Sequence, residues 1–264
     1  WMSYRELDTL SSALGAWLQS KGLPAGSRVA IMLPNLPQFS VTMAGILRAG
    51  YTCVNVNPLY TARELEHQLR DSGATAIVIL ENFASTLQQV IDKTQIQHMV
   101  VASIGDLLGP WHGRWLTFAV RHLAKMVPEF ELPLDNGRTV TPFKKAITQG
   151  RHLSLKANAQ NLDSIAFLQY TGGTTGLSKG AVLTHRNIVA AILQAEAWFS
   201  PAMAKVGDLR KVNSIAALPL YHIFALTLAL LAIRQGSHLT LIPNPRDFGK
   251  FIEVLKQRPF HIFA

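Results

Sequence analysis

The groups of this chain that are best suited to chemistry are concentrated in twelve consecutive residues, from Tyr170 to Ala181. They include four glycines, three threonines, one serine and one lysine. Glycine lets the backbone adopt positive φ angles and lets a ligand approach the main chain closely. Successive backbone N–H groups in such a loop form a concave anion site, to which hydroxyls add neutral donors and an ammonium adds charge. The stretch therefore predicts a binding site for a polyphosphate.

Every residue of this glycine-rich loop is a candidate ligand contact, and Lys179, its only fixed cation, is also a candidate catalytic residue. The candidate contacts are Tyr170, Thr171, Gly172, Gly173, Thr174, Thr175, Gly176, Leu177, Ser178, Lys179, Gly180 and Ala181. The loop is not a Walker A motif, because Ser178 and Gly180 stand where that motif has its second glycine and its Ser/Thr. A glycine-rich hairpin that binds nothing is the alternative, but a hairpin does not require clustered threonines followed by a lysine.

A second candidate lies in the segment from Leu218 to His222, between an apolar strand-like run and an apolar helix-like run. Pro219 fixes a turn there and places Tyr221 and His222 at the carboxyl end of a strand, where open α/β sheets bind ligands. Taken alone, His222 is better explained as a loop histidine without a role, and the glycine-rich loop is what favours a functional role.

The elements that must position these residues alternate between strand and helix. The strand runs are continuously apolar, which indicates a mostly parallel sheet covered by helices on both faces and hence an α/β fold. The predicted strands are Val29–Leu33, Tyr51–Val56, Ala76–Leu80, His98–Ala102, Ala181–Thr184, Asn213–Leu218 and His238–Ile242. The predicted helices follow Ser3, Pro37, Thr61 and Thr184 and cover residues 84–93, Ile223–Arg234 and Phe248–Gln257, with capping boxes at Ser3–Glu6 and Thr61–Glu64.

The alternation is interrupted between residues 105 and 161, which divides the chain into a first βα region (about 1–104), an irregular insertion (105–161) and a second βα region with the loop (162–264). Within the insertion, residues 114–127 predict an amphipathic helix that contacts an anionic membrane surface. Its apolar residues are Trp115, Leu116, Ala119, Val120, Leu123, Met126 and Val127, and its basic residues are Arg114, Arg121, His122 and Lys125. An ordinary surface helix packed on the core is the alternative.

Composition is that of a globular protein, with 48% apolar and 16% charged residues in 264. A single cysteine, Cys53, excludes an internal disulfide and a Cys-rich metal site, and its apolar surroundings predict a buried thiol.

The formal net charge of +9 suits a polyphosphate, an anionic membrane or a nucleic acid. Nucleic acid ranks last because the basic residues are scattered. The apolar helix-like run from Ile223 to Ile233 is too short to cross a membrane and predicts a buried core helix.

The ten residues from Thr171 to Gly180 fit, at each position, the phosphate-loop pattern of the adenylate-forming superfamily, which includes acyl-CoA synthetases, luciferases and adenylation domains. Pro219–His222 resembles the second motif of that superfamily, Pro-Leu-Phe/Tyr-His. With the stretches Asn55–Thr61 and Asn244–Asp247, the chain most resembles the bacterial long-chain fatty acid–CoA ligases. The resemblance extends from about Tyr4 to the end and is loosest between residues 105 and 161.

This resemblance implies ATP-dependent activation of a long-chain fatty acid to acyl-CoA through an acyl-adenylate, with ATP, Mg²⁺ and CoA. It implies that Lys179 and His222 act in catalysis and that Tyr221, His222 and Phe224 line the acyl pocket; no metal ligand is assigned. The single cysteine favours a reducing compartment, so we expect a cytoplasmic protein, peripheral at the inner membrane through residues 114–127. The scattered basic residues predict no nucleic acid partner; the oligomeric state stays open, a homodimer being one option.

The later motifs of the superfamily are not found before Ala264. We therefore expect an incomplete N-terminal AMP-binding domain, without the C-terminal domain and inactive by itself. Two alternatives remain. The first is another adenylate-forming enzyme, such as an acyl-AMP ligase that loads a carrier protein. The second is a basic membrane- or nucleic-acid-binding module without enzymatic activity.

Overall fold

The computed structural model describes residues 1–171, 178–257 and 259–263, and the strands within these ranges form two sheets. The strands of the larger sheet are β1 (Arg28–Met32), β2 (Thr52–Asn55), β3 (Ala76–Leu80), β4 (His98–Ala102), β5 (Thr139–Pro142), β6 (Ile165–Thr171) and β7 (Lys179–Thr184). Their order is β5-β4-β3-β1-β2-β6-β7, and each neighbouring pair is parallel except β6 with β7. The smaller sheet is parallel, with the order β10-β8-β9, from β8 (Asn213–Ala216), β9 (His238–Leu241) and β10 (Ile262–Phe263).

Helices cover both faces of the larger sheet, as the apolar strand runs predict. They are α1 (Tyr4–Gln19), α2 (Pro37–Arg48), α3 (Ala62–Ser72), α4 (Ala84–Gln88), α5 (Pro110–Phe118), α6 (Phe143–Gly150), α7 (His185–Met203), α8 (Ile223–Gln235) and α9 (Phe248–Gln257). Along β1, Val29 and Ile31 pack with α1, α2, α6 and α8, whereas Ala30 and Met32 pack with α3 and α4. The alternation of side chains along a strand thus fills two separate cores.

Local signals set several helix ends where the sequence predicts them. Ser3 and Glu6 form a complete capping box at α1, and Thr61 and Glu64 form another at α3. Gly73 ends α3 in the left-handed conformation, with φ 61°, which is accessible to glycine at little cost. The single helix predicted over residues 84–93 is wrong. Val90 leaves the helical region (φ −129°) with its side chain buried, so that α4 is followed by a separate 3-10 turn, Ile91–Lys93.

The stretch from 105 to 161 is more regular than predicted, because it supplies α5, α6 and β5. Strand β5 extends the larger sheet beyond β4, and α6 packs against α1. The contact with α1 is close at Gly150, where a Cβ atom would lie 1.9 Å from the carbonyl oxygen of Ala13. The predicted amphipathic helix is also displaced, since α5 begins at Pro110 and gives way to a π-helical turn, Ala119–Leu123. The larger sheet therefore draws strands from all three regions of the chain.

Helix α8 joins the smaller sheet to the main core, and the expectation of a buried helix holds for its central part. Ala225, Leu226 and Ala229 pack into the same core as α1 and α2. Ile223 and Phe224, in its first turn, are exposed instead.

Cys53 is fully buried, as predicted, and burial raises the pKa of its thiol well above the usual value. Among the described residues, no helix combines the length and the apolar character needed to cross a bilayer.

Candidate active site

The glycine-rich loop connects β6 and β7, which pair as an antiparallel hairpin. Tyr170 lies opposite Gly180, and Thr171 lies opposite Lys179. Lys179 is exposed and begins β7, two residues before the predicted start of that strand. A strand, not a helix, follows the lysine, which agrees with the exclusion of a Walker A loop. The predicted contacts at Gly172, Gly173, Thr174, Thr175, Gly176 and Leu177 lie outside the described residues and stay predictions.

At the first end of the loop, the Tyr170 side chain is buried and its hydroxyl donates a hydrogen bond to Oδ2 of Asp71, 2.5 Å away on α3. Burial, followed by the Asp71 carboxylate, raises the pKa of Tyr170 far above its usual value, so the phenol stays protonated. The Tyr170 ring also accounts for the absence of a side chain at Gly180, since a Cβ atom there would lie 2.9 Å from Cε2 of the ring. The glycine is needed for this close approach.

At the second end of the loop, Ser178 is held by two aromatic side chains that the sequence analysis did not select. Nε2 of His67 lies 2.9 Å from the carbonyl oxygen of Ser178. Burial raises the pKa of Tyr60, and a hydrogen bond with the Ser178 side chain partly offsets that rise. The turn before α3 and α3 itself thus contact both ends of the loop.

The segment from Leu218 to His222 is a turn between β8 and α8. The rings of Tyr221 and His222 pack together, with centroids 4.3 Å apart. Tyr221 is half-buried, and its pKa is raised chiefly by burial and further by the nearby Tyr60. His222 and Phe224 are exposed. The turn therefore presents an imidazole beside apolar and aromatic surface.

A buried side-chain amide joins this turn to the glycine-rich loop. Nε2 of Gln169 donates to the carbonyl oxygen of Tyr221 over 2.6 Å. Oε1 of Gln169 accepts from Nδ2 of Asn55 over 3.1 Å, and Nε2 of Gln68 donates to the Asn55 carbonyl oxygen over 2.8 Å. The sequence analysis gave these three residues no role, although Asn55 begins one of the stretches that carry the family resemblance. Asn55 and Gln169 could have been found, because each is an amide near the carboxyl end of an otherwise apolar strand.

Asn35, which follows β1, holds the other side of the same turn. Its Nδ2 donates to the carbonyl oxygens of Ala216 (3.0 Å) and Leu218 (2.9 Å), and its Oδ1 accepts from the N–H of Leu220 (2.8 Å). Asn35 is only 3% exposed, and its hydrogen bonds with Ala216 and Leu220 are buried. One buried amide thus fixes the turn that carries Tyr221 and His222.

The parts of the candidate site meet at one edge of the larger sheet. Asn35 follows the carboxyl end of β1, Asn55 ends β2, and Thr171 ends β6. Lys179 lies at the same edge because β7 runs antiparallel to β6 and starts there. This is the edge at which open α/β sheets bind ligands. The arrangement can hold an anion near Lys179 beside the apolar and aromatic surface around His222.

The described residues include no cluster of three His, Cys, Asp or Glu side chains that could hold a metal ion. This finding does not bear on a Mg²⁺ ion bound together with a nucleotide, because Mg²⁺ keeps several waters and binds substrate phosphates with few protein ligands.

Comparison with known proteins identifies the family of this chain. The model of the family described as AMP-binding enzyme matches residues 1–264. Long-chain-fatty-acid–CoA ligases are 47% identical over 262 residues in Yersinia pestis and 46% identical over 261 residues in Salmonella typhi. Each alignment covers 98% of this chain and 45% of the relative, so the chain spans about half the length of these proteins.

The crystal structure of a long-chain-fatty-acid-CoA ligase from Archaeoglobus fulgidus has the same fold, with a TM-score of 0.72 at 22% identity. The match covers 97% of this chain and 43% of that structure. Together with the family model that spans the whole sequence, the shared fold leaves one assignment: this chain belongs to the AMP-binding enzyme family.

Proposed function

We propose that the protein activates long-chain fatty acids to acyl-CoA. The observation that carries the proposal is the hydrogen bond from Gln169 to the Tyr221 carbonyl, which holds the end of a phosphate-binding loop beside an apolar and aromatic turn. A polyphosphate site and a site for an alkyl tail are the two halves that such a reaction needs. The names of relatives that are 46–47% identical to this chain support this choice of substrate.

In the first step, an oxygen of the fatty carboxylate attacks the α-phosphorus of ATP, and pyrophosphate leaves. In the second step, the CoA thiolate attacks the acyl carbon, and AMP leaves. Lys179 and the donors of the loop hold the β- and γ-phosphates and stabilise the charge that develops on the leaving pyrophosphate. When bound beside these phosphates, Mg²⁺ would supply further neutralisation of that charge.

The turn after β8 is the proposed acyl side of the site. In this proposal His222 contacts the reacting carboxylate, and Tyr221 and Phe224 line the pocket for the alkyl chain. The exposure of Phe224 and Ile223 supports this assignment, because neighbouring large apolar side chains on a protein surface often mark a binding site. An alkyl tail would cover both side chains.

The test is an exchange assay with the full-length protein. We expect incorporation of labelled pyrophosphate into ATP that requires palmitate and Mg²⁺, and formation of palmitoyl-CoA when CoA is added. Removal of Mg²⁺ with EDTA should abolish both reactions. Acetate, which lacks an alkyl tail, is the matched control and should support little exchange. Exchange that does not depend on the fatty acid would contradict the proposal, and exchange without palmitoyl-CoA would favour the carrier-loading alternative.

We also propose that residues 111–127, here called the interfacial segment, contact an anionic bilayer. The exposure of its largest apolar side chains supports this over a helix packed on the core, although Leu116, Ala119, Val120 and Val127 are half-buried. Trp111 is 81% exposed and Trp115 is 67% exposed. Phe118, Leu123 and Met126 are also exposed, and Gly113 is the only fully buried residue among 111–127. Tryptophan at an apolar face bordered by basic residues is typical of interfacial helices.

One basic residue of the interfacial segment has a different role. Nε and Nη2 of Arg121 donate hydrogen bonds to the carboxylate of Glu81, which is 1% exposed. Loss of Arg121 would leave a buried carboxylate without its cationic partner, a change that typically costs about 3–5 kcal/mol of stability. Arg121 therefore anchors the segment to the core. Membrane contact has to be tested at Arg114 and Lys125, which are both exposed.

Reversal of Arg114 and Lys125 to glutamate is expected to weaken binding to anionic vesicles. Each basic residue contributes about 1 kcal/mol near such a surface, so loss of two lowers the partition coefficient at least about thirtyfold. Sedimentation with vesicles that contain phosphatidylglycerol measures the effect. The double reversal of Lys205 and Lys256, exposed lysines outside the segment, changes the net charge equally and is the control. Equal loss of binding in both variants, or no loss in either, would contradict a specific surface.

A further inference from the structure

We infer that α3 sets the geometry of the glycine-rich loop by holding both of its ends. His67 contacts Ser178 at one end, and Asp71 contacts Tyr170 at the other. The inference rests on the proposed function in that it takes this loop as the site for the phosphates of ATP. His67 and Asp71 are positioning residues, which act on the reaction through the loop.

The two contacts come from a single face of one helix. His67 and Asp71 are four residues apart in α3, and side chains with this spacing lie on the same face. Their partners, Ser178 and Tyr170, lie on either side of the loop. The distance between Tyr170 and Ser178 is therefore fixed by helix α3 and not only by the pairing of β6 with β7.

Helix α3 is itself fixed to the sheet at the same level. The fully buried Gln68, which follows His67, donates to the main-chain oxygen of Asn55 at the end of β2. Leu65 and Leu69 pack in the core beneath it. The helix thus has little freedom to shift along the strands. Its contacts with Tyr170 and Ser178 therefore hold the two ends of the loop at a fixed position relative to the sheet.

A fixed span matters because the loop works through its backbone. Hydrogen-bond donors that are held in position before the phosphates bind need no reorganisation during the reaction. Such preorganised donors stabilise the charge of the transition state more strongly than donors that must first reorient. Supporting residues outside the site maintain such geometry. Loss of a holding contact should therefore weaken the handling of ATP and pyrophosphate while leaving the handling of the fatty acid unchanged.

The test compares variants of the full-length protein in the exchange assay. We expect His67→Leu to raise the KM for ATP about tenfold, which corresponds to the loss of one well-placed hydrogen bond, and to leave the KM for palmitate within about twofold. His67→Gln should restore most of the affinity, since its amide nitrogen can donate to the Ser178 oxygen. Asp71→Leu should resemble His67→Leu, and Asp71→Asn should resemble the parent, because its amide oxygen can accept from Tyr170.

Arg70→Leu is the matched control, because Arg70 is on the same helix but is exposed and paired with Glu66. It should leave both KM values unchanged. A change in the KM for palmitate as large as that for ATP, in both His67→Leu and Asp71→Leu, would overturn the inference, since a general loss of structure would produce it.

A second measurement does not depend on the reaction. Lys179 follows the held Ser178, so the release of that end should expose the Lys179–Gly180 bond to trypsin. We expect faster cleavage of this bond in His67→Leu than in His67→Gln or in the parent, at an unchanged melting temperature. Absence of fatty-acid-dependent exchange in the parent would contradict the proposed function, yet the cleavage rates would still test the holding contacts. Cleavage at the parent's rate in both His67→Leu and Asp71→Leu would overturn them.

Discussion

Replacement of Lys179 by alanine is expected to lower fatty-acid-dependent exchange by ten- to a hundredfold. Loss of a charge-assisted hydrogen bond to a phosphate corresponds to about 1.5–3 kcal/mol, which gives this range of rates. Lys179 is exposed and forms no ion pair with any residue in the described part of the chain. Its removal should therefore leave the stability of the fold nearly unchanged, and the loss should be found in the exchange rate with pyrophosphate.

Two variants make this result specific. Lys179→Arg keeps the charge with a different geometry and should retain part of the activity, because arginine and lysine are not interchangeable at a phosphate. Lys205→Ala removes an exposed lysine elsewhere and should have no effect. Exchange at the parent's rate in Lys179→Ala would show that the loop does not use its cation, and the proposed role of Lys179 would then be wrong.

Replacement of Asn35 by alanine is expected to lower the free energy of unfolding by about 2 kcal/mol or more. The variant leaves the carbonyl oxygen of Leu218 and the N–H group of Leu220 without partners, whereas the Ala216 oxygen keeps its hydrogen bond from the N–H of Ile242. Each buried group left unpaired costs about 1–3 kcal/mol. The full sum is not expected because the turn can shift towards water. That shift would move Tyr221 and His222, so activity should fall as well.

Equilibrium unfolding in urea measures this loss. Asn244→Ala is the matched control, because Asn244 is exposed and its side chain accepts only a local hydrogen bond from Arg246. Its substitution should change the unfolding free energy by less than about 1 kcal/mol, as surface substitutions usually do. A loss for Asn35→Ala no larger than that of the control would mean that the turn is held by other contacts, and the assigned role of Asn35 would be wrong.

The order and type of most elements could be predicted from sequence, because the signals that set them are local. The apolar runs of β1 to β4 require burial on both faces, and the capping boxes at Ser3 and Thr61 fix where two helices begin. The loop residues could be chosen in the same way, since glycines, hydroxyls and one lysine in series are informative without any structure. Local signals fail where burial decides, as at Val90, whose side chain turns into the core and ends the predicted helix early.

The contacts that assemble the site depend on tertiary structure. Gln169 and Tyr221 are 52 positions apart, His67 and Ser178 are 111 apart, and Asn35 and Leu220 are 185 apart. Which amide faces which backbone group depends on strand order and register, and a shift by one residue would turn Gln169 to the other face of the sheet. The exposure of Trp111 and Trp115 is likewise decided by what packs against α5 and not by its own periodicity. The sequence by itself determined the class of fold and predicted a phosphate-binding loop, whereas only the tertiary structure decided which residues contact the two ends of that loop, because pairing over such separations is a property of the packed sheet.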